Sequence, residues 1–469
     1  MKINKKLGWF LAAHILLWSL LPILLRANLP MDTAEAWVWG SLGEWGTNKH
    51  PPLSGWLAYG AWFLAGKNPC GIYCLSALLT AGGMLYVYRL GKCFLSEGQA
   101  LAAAVLLEGV AYYNYVIPEY NCNIVALFLW PACSFYFYRG IKDNLWGDWL
   151  LFGGLAGANI LNKYVSGALL VGLGGYMLFT KAGRARLSSG RVYVAAALGL
   201  ALTLPHWVWL YNRDFFVLEY FARRSSAGGV MPYGMGHIVY TAKFIGAQVL
   251  AGLAMLAALV WLRKRASKEP MMAKPERQFA FWAGICPMLI MALVPLVSGV
   301  KLKSMWGSPA EYMLGICYMV WLPFKVNEGK VMRTAYGLLG AFSLVFAAQT
   351  ELTLSAKFNL DAKDFVRNVG GDEAKYVGGS VWLASILGVY GSAAPEVIFE
   401  MDADINPWID INKAKREGIL AVEECRAAYA AHRRDFADLP EPMEYVWQAK
   451  NIWGQTKEYR FFYGKTEKK

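Results

Sequence analysis

The sequence predicts a polytopic α-helical membrane protein with about eleven transmembrane helices, followed by a carboxyl-terminal extracytoplasmic α/β domain. Composition gives the first reason. Residues of the AVILMFWYC set make up 57% of the 469 residues and charged residues only 17%, against about 45–50% (Gly included) and about 25% in globular domains. With a mean hydropathy of +0.31, a soluble enzyme and a disordered chain are both excluded. The second reason is the recurrence of apolar runs of bilayer-compatible length. The third is the charge distribution. The net charge is +13, yet residues 353–469 hold sixteen Lys/Arg against eighteen Asp/Glu. The surplus therefore sits wholly in the apolar part, where it reads as a topology signal and an attraction for anionic headgroups. Nucleic acid is not an expected partner.

The first apolar run, Leu7–Leu25, follows Lys2, Lys5 and Lys6. It is longer than a usual signal-peptide core and no small-residue cleavage site follows, so it is expected as an uncleaved span with its amino end in the cytoplasm. Further spans are expected near 71–88, 99–117, 122–138, 148–162, 164–180, 192–211, 236–262, 278–299, 306–324 and 333–350. Of these, 148–162 and 164–180 are divided only by Asn162-Lys163. Alternating the spans puts the basic runs Lys181–Arg191, Arg263–Arg277 and Lys325–Arg333 in the cytoplasm. That side then holds roughly twenty Lys/Arg and the other roughly nine, as the positive-inside rule requires. An odd number of spans leaves residues 353–469 outside, and the chain divides into 1–352 and 353–469.

Three external segments exceed simple turns. Residues 27–67, rich in Trp around a Gly46–Pro52 turn region, are expected as short amphipathic helices at the interface. The second segment is Tyr211–Gly236. The third is the tail, with strand-like runs Val381–Leu383 and Glu396–Phe399 and a helical stretch near Lys413–Glu417. The eight cysteines show no metal-ligand spacing; a Cys70–Cys74 disulfide would need its helix to unwind.

Ionisable groups at membrane depth are costly and mark function or a buried partner. Here they gather at the outer junctions. Asp32 and Glu35 lie in Leu29–Glu35, and Lys49 and His50 stand before Pro51-Pro52. Glu119, Asn121 and Asn123 lie between the third and fourth spans, Lys163 and Tyr164 at another junction, and His206 near the outer end of a span. Lys301 and Lys303 complete the set. Each has a structural alternative. Asp32 caps a helix, Glu35 faces solvent or pairs with Lys49, His206 is a hydrogen-bonded structural histidine, and Lys301 and Lys303 touch headgroups. Convergence on one leaflet favours a site for a lipid phosphate beside a hydroxyl. Cations neutralise phosphate oxygens, and a carboxylate takes a proton from an incoming hydroxyl.

The run Asp32-Thr33-Ala34-Glu35-Ala36-Trp37, then Lys49-His50-Pro51-Pro52-Leu53, resembles the first external loop of GT-C glycosyltransferases. The nearest branch is the bacterial relatives of protein O-mannosyltransferase and of the lipid A aminoarabinose transferase. Asn121 and Asn123 with Leu127-Phe128-Leu129-Trp130-Pro131, Lys163-Tyr164 and Lys301–Gly307 look like further family segments. The resemblance covers about residues 1–350 and implies an inverting transferase. It would move a sugar from a polyprenyl-phosphate donor to a lipid A, glycan, lipid or protein acceptor on the outer face of the cell inner membrane. By the same resemblance, Asp32 is the catalytic base or a close partner of the reacting hydroxyl, with Glu35 a second acidic candidate. Lys49, His50, Lys163, Lys301 and Lys303 face the donor phosphate, and Glu119, Asn121, Asn123, Tyr164 and His206 line the pocket. Many relatives carry an aspartate where Asn121 and Asn123 stand, which leaves a second catalytic carboxylate unassigned. Some relatives bind a divalent cation near this loop. Glu35 and His206 are the available donors, and two donors do not make a metal site, so no resident cofactor is assigned. The competing classes are a transporter or flippase of a lipid-linked saccharide and a non-catalytic assembly protein. A transporter would carry polar groups and broken helices through the whole depth, whereas here the charges collect near one surface.

Overall fold

A computed structural model describes residues 4–217 and 234–468; most of the expected Tyr211–Gly236 loop lies outside the described residues. Helix α1, Lys5–Leu25, starts at Asn4, whose side chain accepts from the Lys6 amide. The external loop forms α2, Met31–Ser41, and α3, Leu53–Leu64. Then come α4, Cys70–Gly91, and α5, Glu97–Val105, the latter opened by a Ser96/Gln99 capping box that satisfies two free helix-end amides at once. Helix α6, Cys122–Asp143, ends on Asn144 in the left-handed region (φ 51°), a usual way to close the last turn. It is followed by α7, Trp146–Asn162, and α8, Gly167–Phe179.

Among the described residues, six helices are long and apolar enough to cross a bilayer: α1, α4, α6, Gly190–Tyr211, Lys274–Ser298 and Glu328–Leu352. A pair of helices, Met235–Ala251 and Leu253–Lys264, is apolar enough when taken together and is bent by 55° at its break. The protein is a multi-pass membrane protein. Several expected spans are not continuous α-helices. The 99–117 segment leaves the α conformation at Val105 and continues as 3-10 turns at Leu106–Gly109 and Ala111–Tyr113. The 306–324 segment is a 3-10 run, Ser304–Met313, leading into Leu314–Trp321. Cys70 and Cys74 are free thiols within α4, so that helix stays wound.

The break after Val105 surrounds a feature that contradicts the expected one-sided distribution of charge. Glu108, fully buried, accepts from His14 Nδ1 (2.7 Å) and Trp18 Nε1 (3.1 Å) of α1, and His14 Nε2 meets Thr80 Oγ1 at 3.1 Å. A buried carboxylate is tolerable only when its lone pairs are satisfied, and His14 and Trp18, both on α1, engage its two oxygens. His14 lies midway along α1, so ionisable groups do occur at membrane depth.

The tail is a five-stranded sheet in the order β2-β1-β3-β5-β4. Its strands are β1 Tyr376–Gly379, β2 Glu396–Phe399, β3 Ile419–Glu423, β4 Met443–Lys450 and β5 Thr456–Lys465. β1 runs parallel to β2 and β3, while β3–β5 and β4–β5 are antiparallel. Val381–Leu383 is not a strand; it opens the helix Val381–Tyr390. A short apolar run has no periodicity to separate helix from strand. That helix packs on α2, with Val38 and Trp37 against Gly388. Helix α2 is consequently buried from Thr33 to Gly40. It is a covered helix and not the half-exposed interfacial one expected.

Candidate active site

The site is assembled where α2, the 47–50 turn and two inter-helix junctions meet. Helix α2 begins at Pro30, with no side-chain cap, so Asp32 does not serve as the N-cap. Its carboxylate is half-buried, and no hydrogen bond or ion pair engages it among the described residues. It lies within electrostatic reach of Lys163, Glu35, Glu119 and Cys122. Glu35, one turn further along α2, is buried and receives Lys49 Nζ at 2.5 Å. Burial pushes the Glu35 carboxyl up, Lys49 opposes that, and Asp32 and Glu400 of the sheet domain add to the rise.

The turn carrying Lys49 and His50 is closed by Thr47. Its hydroxyl accepts from the amides of Lys49 and His50 and donates to the His50 carbonyl. Trp39 of α2 donates to Asn48 Oδ1 at 3.1 Å, and its ring meets His50 edge-on at 5.8 Å. His50 is therefore held against α2 just before Pro51-Pro52 leads into α3. Burial pulls the His50 imidazole well below its ordinary value of 6.5, and the charges of Lys163 and Lys49 pull it further. At neutral pH His50 is an uncharged ring that offers an N–H; burial also pulls the Lys163 ammonium down, and Cys122 and Asp32 oppose that.

The 118–123 junction is tied in by Thr33, which donates to the Tyr120 carbonyl (3.2 Å), and by Tyr120, which donates to the Ser54 carbonyl of α3 (2.8 Å). Asn121 caps α6 and accepts from Asn123. Asn123 Oδ1 in turn accepts from Lys163 Nζ at 2.5 Å. An aspartate at 123 would put a second negative charge on that lysine; the amide leaves Lys163 less neutralised. Trp306, from the expected Lys301–Gly307 segment, approaches with its ring 5.6 Å from Lys163 Nζ. Lys303 precedes that turn as its N-cap residue. Lys301 is exposed, and no contact among the described residues carries it to the cluster. Glu119 pairs with Arg26 at 2.8 Å; burial raises its carboxyl and Arg26 lowers it.

Tyr164 and His206 form a separate group. The His206 Nδ1–H donates to the Trp45 carbonyl (2.6 Å), and Nε2 accepts from the Tyr164 hydroxyl (2.8 Å), an assignment made from the partners. Nearby, Trp209 Nε1 donates to Glu44 at 2.5 Å. These contacts strap the 44–46 stretch to the end of Gly190–Tyr211. Both His206 nitrogens are engaged and Glu35 holds Lys49, so neither fits a cation ligand. No cluster of three His, Cys, Asp or Glu stands together among the described residues.

Arg26 escaped the sequence reading. It sits at the carboxyl end of α1, 4.9 Å over the Phe346 ring as well as on Glu119. A cation at the end opposite Lys5 and Lys6 runs against the positive-inside preference, and that conflict was the available signal.

A helical membrane body with ionisable groups on its first loop and a small sheet domain above it is the architecture of a GT-C glycosyltransferase. The comparisons agree. Residues 49–209 match the family model described as dolichyl-phosphate-mannose-protein mannosyltransferase. Two lipopolysaccharide core galacturonosyltransferases of Rhizobium johnstonii are similar. RgtB is 22% identical over 70% of this chain and 68% of its own length; RgtA is 24% identical over 67% and 64%. The fold is similar to ArnT from Cupriavidus metallidurans, solved bound to undecaprenyl phosphate (TM-score 0.65) and in the apo state (0.63). Both are 12% identical and the match spans 97–98% of this chain and 98% of theirs. The chain is a membrane glycosyltransferase of the GT-C fold. A flippase is not favoured, and the ground is this kinship, because the His14–Glu108 pair removes the argument from one-sided charge.

Proposed function

We propose that the chain transfers a sugar, with inversion, from a polyprenyl-phosphate-linked donor to a hydroxyl of an envelope glycolipid or glycan acceptor. The reaction takes place on the outer face of the cytoplasmic membrane, with the amino terminus inside and residues 353–469 outside as a separate domain. The observation that carries the reading is the half-buried Asp32 carboxylate, free of partners among the described residues and within reach of Lys163. A carboxylate without a partner is a competent proton acceptor. A cation fixed close by suits a leaving phosphate.

In the proposed step, the acceptor O–H gives its proton to Asp32 as its oxygen forms the bond to the anomeric carbon. The bond from that carbon to the donor phosphate breaks on the opposite face. The electron pair leaves with polyprenyl phosphate, whose charge meets Lys163, with the His50 N–H as a neutral donor. Lys49 sits beside them but is bound to Glu35, so its part is to hold the turn and the second carboxylate in place. Glu119, Asn121 and Asn123 shape the wall next to Asp32. Tyr164 and His206 position the loop. Lys303 and Lys301 belong to the rim, where a headgroup would pass. The lipopolysaccharide-core acceptors in the names of the two Rhizobium relatives, and the undecaprenyl phosphate in the ArnT structure, support these substrate classes.

The test is Asp32→Asn, assayed with a synthetic polyprenyl-phosphate sugar and extracted envelope lipids. Turnover should fall by about 10²–10⁴-fold, the usual contribution of a positioned base, with expression and thermal stability unchanged. Wild-type turnover by this variant would remove Asp32 from the mechanism.

A further inference from the structure

The tip of the β4–β5 hairpin, Asn451–Gln455, has the Asn and Gly that turns favour, and between them it displays Ile452 at 59% and Trp453 at 72% exposure. The display is built in. Asn451 is buried, and its Oδ1 accepts from the amides of Trp453 and Gln455 while its Nδ2 donates to Gln455 Oε1. Gly454 takes φ +75°, which a side chain resists. The backbone is thereby fixed with the two apolar side chains outward.

The tip's position says what covers it. The Ile452 amide donates to the Glu351 carbonyl (3.4 Å), Asn451 Nδ2 to the Leu352 carbonyl (3.4 Å), and Tyr459 to the Leu354 carbonyl. The hairpin is thus bonded to the carboxyl end of the spanning helix Glu328–Leu352. The ends of a span lie at headgroup level, where Trp is enriched. That helix is apolar and exposed at Leu344, Val345 and Leu352, and the exposed Ile452 and Trp453 are tied to its carboxyl end. Lys450 and Lys457, exposed and at neighbouring register positions of the hairpin, fit lipid phosphates. Two side chains are far too little for a stable protein interface of about 1,000 Å².

We propose that Ile452 and Trp453 insert into the headgroup layer of the bilayer beside Glu328–Leu352, anchoring the sheet domain at a fixed height. Since the Val381–Tyr390 helix of that domain covers α2, the anchor steadies the roof over Asp32 and Glu35.

The experiment compares the full chain with Trp453→Phe in phosphatidylcholine–phosphatidylglycerol nanodiscs; the difference emission belongs to Trp453. It should be blue-shifted and resistant to aqueous acrylamide. Lipids brominated high on the acyl chain should quench it more than lipids brominated near the chain end. Ile452→Trp, which adds an indole instead of removing one, should give added emission with the same pattern. Emission typical of water, quenched by acrylamide and untouched by bromolipids, would overturn the proposal. So would shielding that appears only at high protein-to-lipid ratio, which would mean that a second copy covers the tip.

Discussion

His50 is a basic residue type that the fold keeps uncharged, and the reason is local: burial together with two lysines within electrostatic range. The consequence for pH follows from linkage. The unfolded chain's imidazole takes up a proton near 6.5, before the folded one does. Stability therefore declines as pH falls below about 6.5 and goes on declining until the folded group protonates. His50→Gln, which keeps an N–H donor without a titration, should flatten this acid side of the melting-temperature profile between pH 5 and 7. An unchanged slope would mean that His50 is not buried as described. The motif around His50 was legible because Lys49, His50 and Pro51-Pro52 are contiguous in the sequence. The pairs that surround it in the site were not. Lys163 with Asn123, and Arg26 with Glu119, join residues that only the packing of separate helices brings together. The Lys49–Glu35 pair was partly legible: it was one of the alternatives left open and is the arrangement found.

At the level of elements, the two loop helices meet almost backbone to backbone. A Cβ added at Gly40 would lie 2.0 Å from the Gly55 carbonyl oxygen and 2.7 Å from Tyr59 Cβ. Neither neighbour can withdraw without moving α3, and α2 is held from the other side by Val381–Tyr390. Gly40→Ala should therefore cost about 1–3 kcal/mol, as overpacking does, and should depress transfer with it, because Asp32 and Glu35 ride on α2. Gly60→Ala on α3, with nothing within 4 Å of the added methyl, is the matched control and should be neutral or slightly stabilising. Equal thermal unfolding of the two variants in detergent would contradict the close approach. Helices with long apolar runs were readable in the sequence. Where the chain departs from the α conformation, as after Val105, the run stays largely apolar around Glu108 and Asn114, and nothing in the periodicity announces the break. The buried carboxylate of Glu108 sits in that departure, and its partners His14 and Trp18 on α1 could not be read from the run itself.

Considered as a whole, the molecule has two poles. At one, Lys6 pairs with Glu328 (2.6 Å), Lys325 donates its amide to the Ser267 carbonyl, and Arg186 and Arg191 reach the carbonyls of Ile141 and Asn144. The amino end of α1 and the basic runs 263–277 and 325–333 thus come together there, and the run 181–191 closes the α6–α7 turn. The opposite ends of α1 and of Glu328–Leu352 carry Arg26, the Asp32 cluster and the sheet domain. The positive-inside rule then predicts that the basic pole faces the cytoplasm and the site faces out. The protein contains its own reporter for this. Cys425, at the start of the Arg426–His432 helix of the sheet domain, is the exposed thiol, while the other seven are buried or half-buried. A membrane-impermeant maleimide should label the chain in intact spheroplasts, lose that labelling with Cys425→Ser, and fail on sealed inverted vesicles. Labelling confined to inverted vesicles would turn the molecule over. An outer-leaflet reaction would then be impossible, because Asp32 and the sheet domain lie at the same pole.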